Sequence, residues 1–326
     1  MNIRIKDICR FGKKSDIKAG EGNTKGKYMF FTSSIDKDKR IDKFDYDEEG
    51  IIMGTGGNAT LHYYSGKFAV STDCLVLLPN SSYKCKYLYY FFLHNMRVLE
   101  GGFRGAGLKH TSKSYIENIE LTKTHSLLEQ DKIISVLSNI DNTIVLQNKR
   151  LKLINELTRS LFIEMFGDPI NNSKNLPTTK LIDVVMLQRG YDLPINERAH
   201  DGNIPVFGSN GILGYHNKSK VVGGGVITGR SGSIGSVYYT KEDYWPLNTS
   251  LFSVKLNGNN IVFIAYLLKF FDLSRFADGT GVPTLNRNII HDKQIINVIQ
   301  SEQNRFAEYV SSIDKSKYSS FSHLSA

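Results

Sequence analysis

Arg104, Lys109, His110 and Lys113 crowd around the glycines at 105 and 107. A second set, Arg230, Ser231 and Ser233, lies in the stretch GRSGSIG (229–235). Asn286 and Arg287 follow the 279–281 glycines, and Asn58 sits in GTGGNA (54–59). Lysine and arginine neutralise phosphate oxygens, arginine offers a two-donor fork to the N7/O6 edge of guanine, and asparagine pairs with the N6/N7 edge of adenine. Glycine-rich flanks give the backbone freedom to approach a bulky polyanion. Together these loops point to nucleic-acid contact. For any one side chain taken singly, a solvated loop residue is the competing reading.

Other chemistries find less support. GTGGNA and GRSGSIG are neither G-x-G-x-x-G nor a Walker A loop, and GEGNTKGK (20–27) misses the P-loop spacing by one residue. Tight turns between strands, or loops lying close to a DNA backbone, remain open for them. The eight histidines show no H-E-x-x-H or comparable ligand spacing, which argues against a metal site, and no G-x-S-x-G elbow is present. The only approach to an adenine methyltransferase motif is GDPI (167–170), which reads as a helix stop. Asp7 and Asp183 stand at matching places in IKDI and LIDV and read as helix or strand entries. The acidic run IDKFDYDEEG (41–50) reads as a solvated turn, and the matched pairs Tyr63-Tyr64 and Tyr238-Tyr239 as strand packing. The sequence offers no self-contained active site, so an enzyme acting alone, a nuclease or a methyltransferase, is the disfavoured class.

Composition sets the frame. The chain has 326 residues, 40% of them apolar, with 18 Phe and 17 Tyr, enough for buried cores in about two domains. A formal charge of +9 favours a polyanionic partner. Three cysteines, Cys9, Cys74 and Cys85, with no C-x-x-C pair suit a reduced, cytoplasmic setting. MNIRIKDICR is no signal peptide, and the most apolar run, IVFIAYLLKFF (261–271), is too short to span a membrane.

The elements that carry these loops occur twice. SLLEQDKIISVLSNID (126–141) and IQSEQNRFAEYVSSID (299–314) share one skeleton. Sliding the chain by 173 to 177 residues also aligns 50–79 with 225–256, 86–95 with 262–271, and 105–119 with 279–295. A period this long means duplication of a whole domain. Short β-type runs are expected around 51–53, 68–78, 225–228 and 250–255, and buried helices over 86–98 and 261–273.

Ser126 and Glu129 form a capping box that opens a helix over about 127–166, roughly 60 Å long, stopped by Gly167-Asp168-Pro169. Ile133, Leu137, Ile140, Ile144, Leu151, Ile154, Leu161 and Met165 repeat at a 4-3 spacing, with Gln147 and Thr158 polar between them, which calls for a partner helix. Phe306, Val310 and Ile313 take the places of Ile133, Leu137 and Ile140. Lys317 then takes the place of Ile144, so the second helix is short and the stripe over 144–165 needs cover from another chain.

Two such domains, each followed by a helix opening in Glu-Gln and running to Ile-Asp, resemble the specificity subunit of type I restriction-modification systems. The resemblance covers nearly the whole chain and is most specific in 127–169, in VITGRSGSIGSV (226–237) and in GTGVPTLNRNII (279–290). It implies an α+β fold of two tandemly repeated target recognition domains, residues 1–125 and 168–298. A long conserved spacer helix (126–167) and a short second helix with its tail (299–326) would pack as an antiparallel coiled coil. It further implies a non-catalytic chain that reads a bipartite target in double-stranded DNA. Adenine methyltransferase subunits would dock on the helices and restriction subunits join them. S-adenosylmethionine, ATP and Mg would be bound by those partners and no cofactor by this chain. The short second helix leaves a variant of this reading, a truncated or regulatory paralogue that self-associates through the long helix.

Overall fold

The computed structural model describes residues 3–121, 123–199, 201–279 and 283–318, excepting the side chains of 316–318. The chain divides into two compact units, Met1–Leu146 and Gln147–Ala326, each with its own core.

The first unit opens on a two-residue strand, Ile3–Arg4, which pairs antiparallel with Glu120–Leu121 at the unit's far end. Helix α1 (Ile5–Ile8) follows, and Asp7 caps it by accepting from the Arg4 N–H at 3.1 Å. The helix-entry reading of Asp7 therefore stands. A six-stranded sheet is ordered Cys9–Phe11, Cys74–Pro79, Tyr46–Gly54, Thr60–Val70, Tyr28–Phe31, Arg40–Ile41. Four of its five pairings use the β-type runs anticipated around 51–53 and 68–78. Over the sheet lies α2 (Cys85–His94), continued after a break at Asn95 by α3 (Met96–Glu100), and α4 (Lys113–Glu117) precedes the closing strand.

The acidic run at 41–50 is not a solvated turn. From Tyr46 it enters the longest pairing of the sheet, where Asp47 meets Lys67, Glu48 meets Arg10 and Glu49 accepts from the Tyr63 hydroxyl. Lys67 on the neighbouring strand and Arg10 two strands away offset two of the acids, which helps so acidic a segment extend.

Helix α5 (Leu127–Phe166) starts at the expected capping box: the Ser126 N–H donates to Glu129 at 2.8 Å, and the Glu129 N–H donates to the Ser126 hydroxyl at 3.3 Å. It stops at Gly167, whose φ of +74° a side chain would strain.

The second unit repeats the plan with α6 (Leu181–Val184), α7 (Ile261–Phe271), α8 (Arg287–His291) and α9 (Gln300–Tyr318). Thr178–Lys180 pairs with Gln294–Ile296, just as the first unit's ends pair. The sheet is split, however. Four strands run Met186–Arg189, Ser250–Lys255, Gly225–Gly229, Val237–Thr240. A separate three-stranded sheet holds Ile204–Gly208, Gly211–His216 and Trp245–Pro246. Helix α7 is apolar nearly all round, and eight of its eleven residues are buried in the core of its unit. No described helix is long and apolar enough to cross a membrane. All three cysteines are free and buried, and burial pushes the Cys9 and Cys85 thiols up to about 12.

The repeated phrase is explained by what its polar residues hold. Gln130 is fully buried; its carbonyl accepts from the Lys84 N–H at 2.8 Å, and its amide donates to Ser82 and His125 carbonyls at 3.1 and 2.9 Å. Gln303 is buried to 1% exposure and does the same: it accepts from the Asn260 N–H at 2.8 Å and donates to the Val298 carbonyl at 2.7 Å and the Asn259 side chain at 2.6 Å. Lys84 and Asn260 are the N-caps of α2 and α7. Each buried glutamine thus satisfies an orphan backbone donor at a helix start and ties the outgoing helix to its own domain. The Ile-Asp end works similarly: the Tyr90 hydroxyl of α2 donates to Asp141 at 2.7 Å, and the Asp314 charge helps hold the Tyr266 phenol of α7 up, behind the larger effect of burial.

The apolar stripe follows a different phase than its 4-3 spacing suggests. Ile133 and Leu137 are half-buried, with Ile133 against the α2 cluster, whereas Ile140, Ile144 and Leu151 are about half exposed. Past that point the buried positions are Ile154, Thr158, Phe162 and Phe166, four apart, while Leu161 and Met165 are only partly covered. The two phenylalanines set the phase, because they fill the space beside α7 and α9: Phe162 lies 5.0 Å from Phe270, 5.5 Å from Phe306 and 6.0 Å from Phe263. Phe306 and Val310 are fully buried there and Ile313 is half-buried. The end of the stripe is therefore covered within its own unit, contrary to the expectation for 144–165, and the exposed stretch is 136–153 with Leu157. The Lys317 side chain and the tail from 319 lie outside the described residues.

Candidate nucleic-acid interface

In each unit two glycine-rich loops are joined by backbone pairing. In the first, Arg104 and His110 exchange two N–H···O bonds of 2.9 Å, the Gly57 N–H donates to the Lys109 carbonyl at 2.8 Å, and the Thr111 N–H donates to Thr55 at 3.0 Å. This places Asn58, Arg104, Lys109 and His110 on one exposed junction. Lys113 stands apart from this cluster in its partners. Its ammonium lies 4.9 Å from the Phe11 ring and 3.6 Å from Glu117, so part of its charge is already answered.

The second unit builds the same junction. Arg230 and Ser231 both donate backbone N–H groups to the Thr249 carbonyl, at 2.9 and 3.2 Å, and the Leu285 N–H donates to Arg230 at 2.8 Å. Ser231 bridges to Thr284. The Ser233 carbonyl packs so tightly over Gly229 that a Cβ there would lie 1.9 Å away, so the turn demands glycine. Arg230 is half-buried, Asn286 and Arg287 are exposed, and Asn286 caps α8 by accepting from the Asn288 N–H at 3.0 Å. The remainder of the 279–281 glycine loop, from 280 to 282, lies outside the described residues.

A cleft of about 610 Å³ opens beside this junction, lined by Arg230, Asn286 and Arg287 together with Gln188, Arg189 and Asp192. The last three come from the strand Met186–Arg189 and the turn after it, and sequence reasoning did not single them out. Their signal was weak, since Gln188, Arg189 and Asp192 surround a single glycine. Behind the cleft His291 is buried and accepts the Leu187 N–H at 3.0 Å; burial, then the Arg287 charge, hold its imidazole below the ordinary range. The paired tyrosines pack as expected: Tyr64 against Phe31 and Phe68, Tyr63 against Tyr89, and Tyr238 against Phe207.

The molecule is thus a duplicated α+β domain, each copy ending in a helix clamped by a buried glutamine and presenting a two-loop junction that carries basic side chains. The sequence matches the family described as type I restriction modification DNA specificity domain over residues 1–156 and 174–320, and the chain belongs to that family. It is 23% identical over 224 residues to the type I restriction enzyme MjaVIII specificity subunit of Methanocaldococcus jannaschii, an alignment covering 61% of this chain and 52% of that one. The chain therefore spans about half the length of this curated relative. The fold is similar to that of the type I restriction-modification system S subunit from M. genitalium, with a TM-score of 0.76 and 17% identity over 100% of this chain and 92% of the other.

Proposed function

We propose that this chain is the non-catalytic sequence-reading subunit of a type I restriction-modification assembly. Residues 1–125 and 168–298 each read one half of a split target in double-stranded DNA. The helices within 126–167 and 299–326 hold the two readers and dock adenine methyltransferase subunits, which restriction subunits join. S-adenosylmethionine, ATP and Mg belong to those partners, and the assembly works in the cytoplasm. The observation that carries the reading is the two-loop junction, built twice on matching backbone hydrogen bonds and furnished in both units with cationic and amide side chains. The net charge of +9 adds sequence-independent, salt-sensitive affinity.

Co-expression with a type I methyltransferase subunit, followed by methylation sequencing, tests this. A bipartite methylated site supports it, and exchange of residues 1–125 for another such domain should alter one half-site alone. Methylation without sequence preference, or a change in both halves, sinks it. Self-association is the second reading, favoured by Val136, Ile140, Ile144, Val145, Leu146 and Leu153, all between 49% and 65% exposed. Mass measurement in solution decides: a monomer that never pairs removes the self-association reading and leaves the methyltransferase subunit as the cover.

A further inference from the structure

One position in the junction keeps its backbone and changes its side chain between the two units. Thr55 follows the strand ending at Gly54, and Arg230 follows the strand ending at Gly229. The Thr55 N–H donates to the Asp73 carbonyl at 2.8 Å, and its own carbonyl accepts from Thr111 at 3.0 Å. The Arg230 N–H donates to the Thr249 carbonyl at 2.9 Å, and its carbonyl accepts from Leu285 at 2.8 Å. A frame fixed by two hydrogen bonds in both copies imposes no side chain of its own. It is a place where duplicated readers diverge without refolding.

The two side chains act in opposite senses. Thr55 turns its hydroxyl inward, donating to the Asp73 carbonyl at 2.9 Å. Arg230 lines the cleft, and one guanidinium N–H reaches the Asn248 carbonyl at 3.5 Å. The Asn248 amide in turn donates to Asp192 Oδ1, and the Asn248 N–H is held by the Tyr191 carbonyl at 2.9 Å. Asn248 is thus a positioning residue for both Arg230 and Asp192. Among the described residues Arg230 has no ion-pair partner, although Asp192 lines the same cleft.

An arginine alone would suit phosphate or guanine equally. Arg189 and Arg287 line the same cleft and can answer phosphate, while Asp192, tied through Asn248 to Arg230, is the acceptor that the N4-amino group of cytosine requires. We infer that Arg230 and Asp192 together read one G·C base pair in the half-site of the second domain. The guanidinium meets guanine N7 and O6, and the outer carboxylate oxygen accepts from the paired cytosine. The first domain, with Thr55 in this frame, lacks that contact. This inference rests on the DNA-reading function proposed above.

The test is selection from a randomised duplex library by the full chain, alone and co-expressed with a type I adenine methyltransferase subunit. Wild type should fix a G·C pair in one half-site. Arg230→Thr, which installs the residue that the first domain carries in the same frame, should lose preference at that pair by about 5- to 150-fold and keep the others. Asp192→Ala should relax the same pair. Replacing that guanine by 7-deazaguanine should weaken wild type and leave Arg230→Thr unaffected. Trp245 fluorescence melts confirm that each variant folds. Retention of the pair by Arg230→Thr, or an equal weakening on all sequences, overturns the assignment while the DNA-reading function stands. No enriched sequence in either preparation overturns both.

Discussion

Replacing Gln303 by alanine removes three hydrogen bonds from a side chain that is 1% exposed, leaving the Asn260 N–H, the Val298 carbonyl and the Asn259 side chain without their partner. At about 0.5–1.5 kcal/mol each, the loss comes to about 3 kcal/mol. For a unit of this size that lowers its melting temperature by roughly 6–12 °C. The chain has one tryptophan, Trp245, and it is buried in the second unit, so intrinsic fluorescence reports that unit. Gln303→Ala should shift the fluorescence-monitored urea transition, and Gln130→Ala, which cuts the matching bonds in the first unit, should not. Gln303→Glu adds a check of sign. The carboxylate still accepts from Asn260 but turns an oxygen toward two other acceptors, so its folded-state pKa is raised above the ordinary ~4.3. The folded variant then binds its proton more tightly than the unfolded chain does. It comes closest to wild type below about pH 4 and loses stability as pH rises. A Trp245 transition within about 0.5 kcal/mol of wild type for Gln303→Ala, or an equal shift from Gln130→Ala, would refute the clamp.

Three other outcomes follow from the same geometry. Phe306→Ala, emptying a site walled by Phe162, Phe166, Phe263 and Tyr266, should cost about 3–5 kcal/mol in the Trp245-monitored transition. His291 is neutral in the fold because it accepts the Leu187 N–H, and its pKa is lowered by burial and then by Arg287. Its contribution is therefore complete above the unfolded value near 6.5 and is lost as pH falls toward the lowered folded value. A stability profile between about pH 7.5 and 5 should slope for wild type and flatten for His291→Gln. Gly167→Ala forces a side chain into φ +74° against Ser173, and calorimetry should register a loss of about 1–2 kcal/mol.

Much of the architecture was legible because duplication prints it twice. The span of α5 came from Ser126, Glu129 and Gly167, and the buried α7 from an apolar run with no polar face. The phase of the stripe was not legible. Leu161 and Phe162 are both apolar, and only the space beside Phe263 and Phe270 decides which turns inward. Gln130 and Gln303 were visible as a repeated Glu-Gln, yet a glutamine on a helix reads as solvated until its partners at Lys84 and Asn260 are placed. The loop residues were found as loops. Their register was not, because the match of Thr55 with Arg230 rests on backbone bonds that no side chain announces. Asp192 and Asn248 lie 56 residues apart and meet only through the fold.

The short ribbons that join each domain's beginning to its end have a further meaning. Ile3 pairs with Leu121, and Thr178 with Ile296, so each domain's entrance and exit are stitched within a few residues of each other. Whatever lies between the stitches can lengthen, shorten or rearrange without moving the point at which the chain leaves. The two copies have used that freedom already, one laying six strands in a single sheet and the other dividing its strands between sheets of four and three. The ribbon thereby insulates the outgoing helix from variation in the loops, and change is confined to the part that can absorb it.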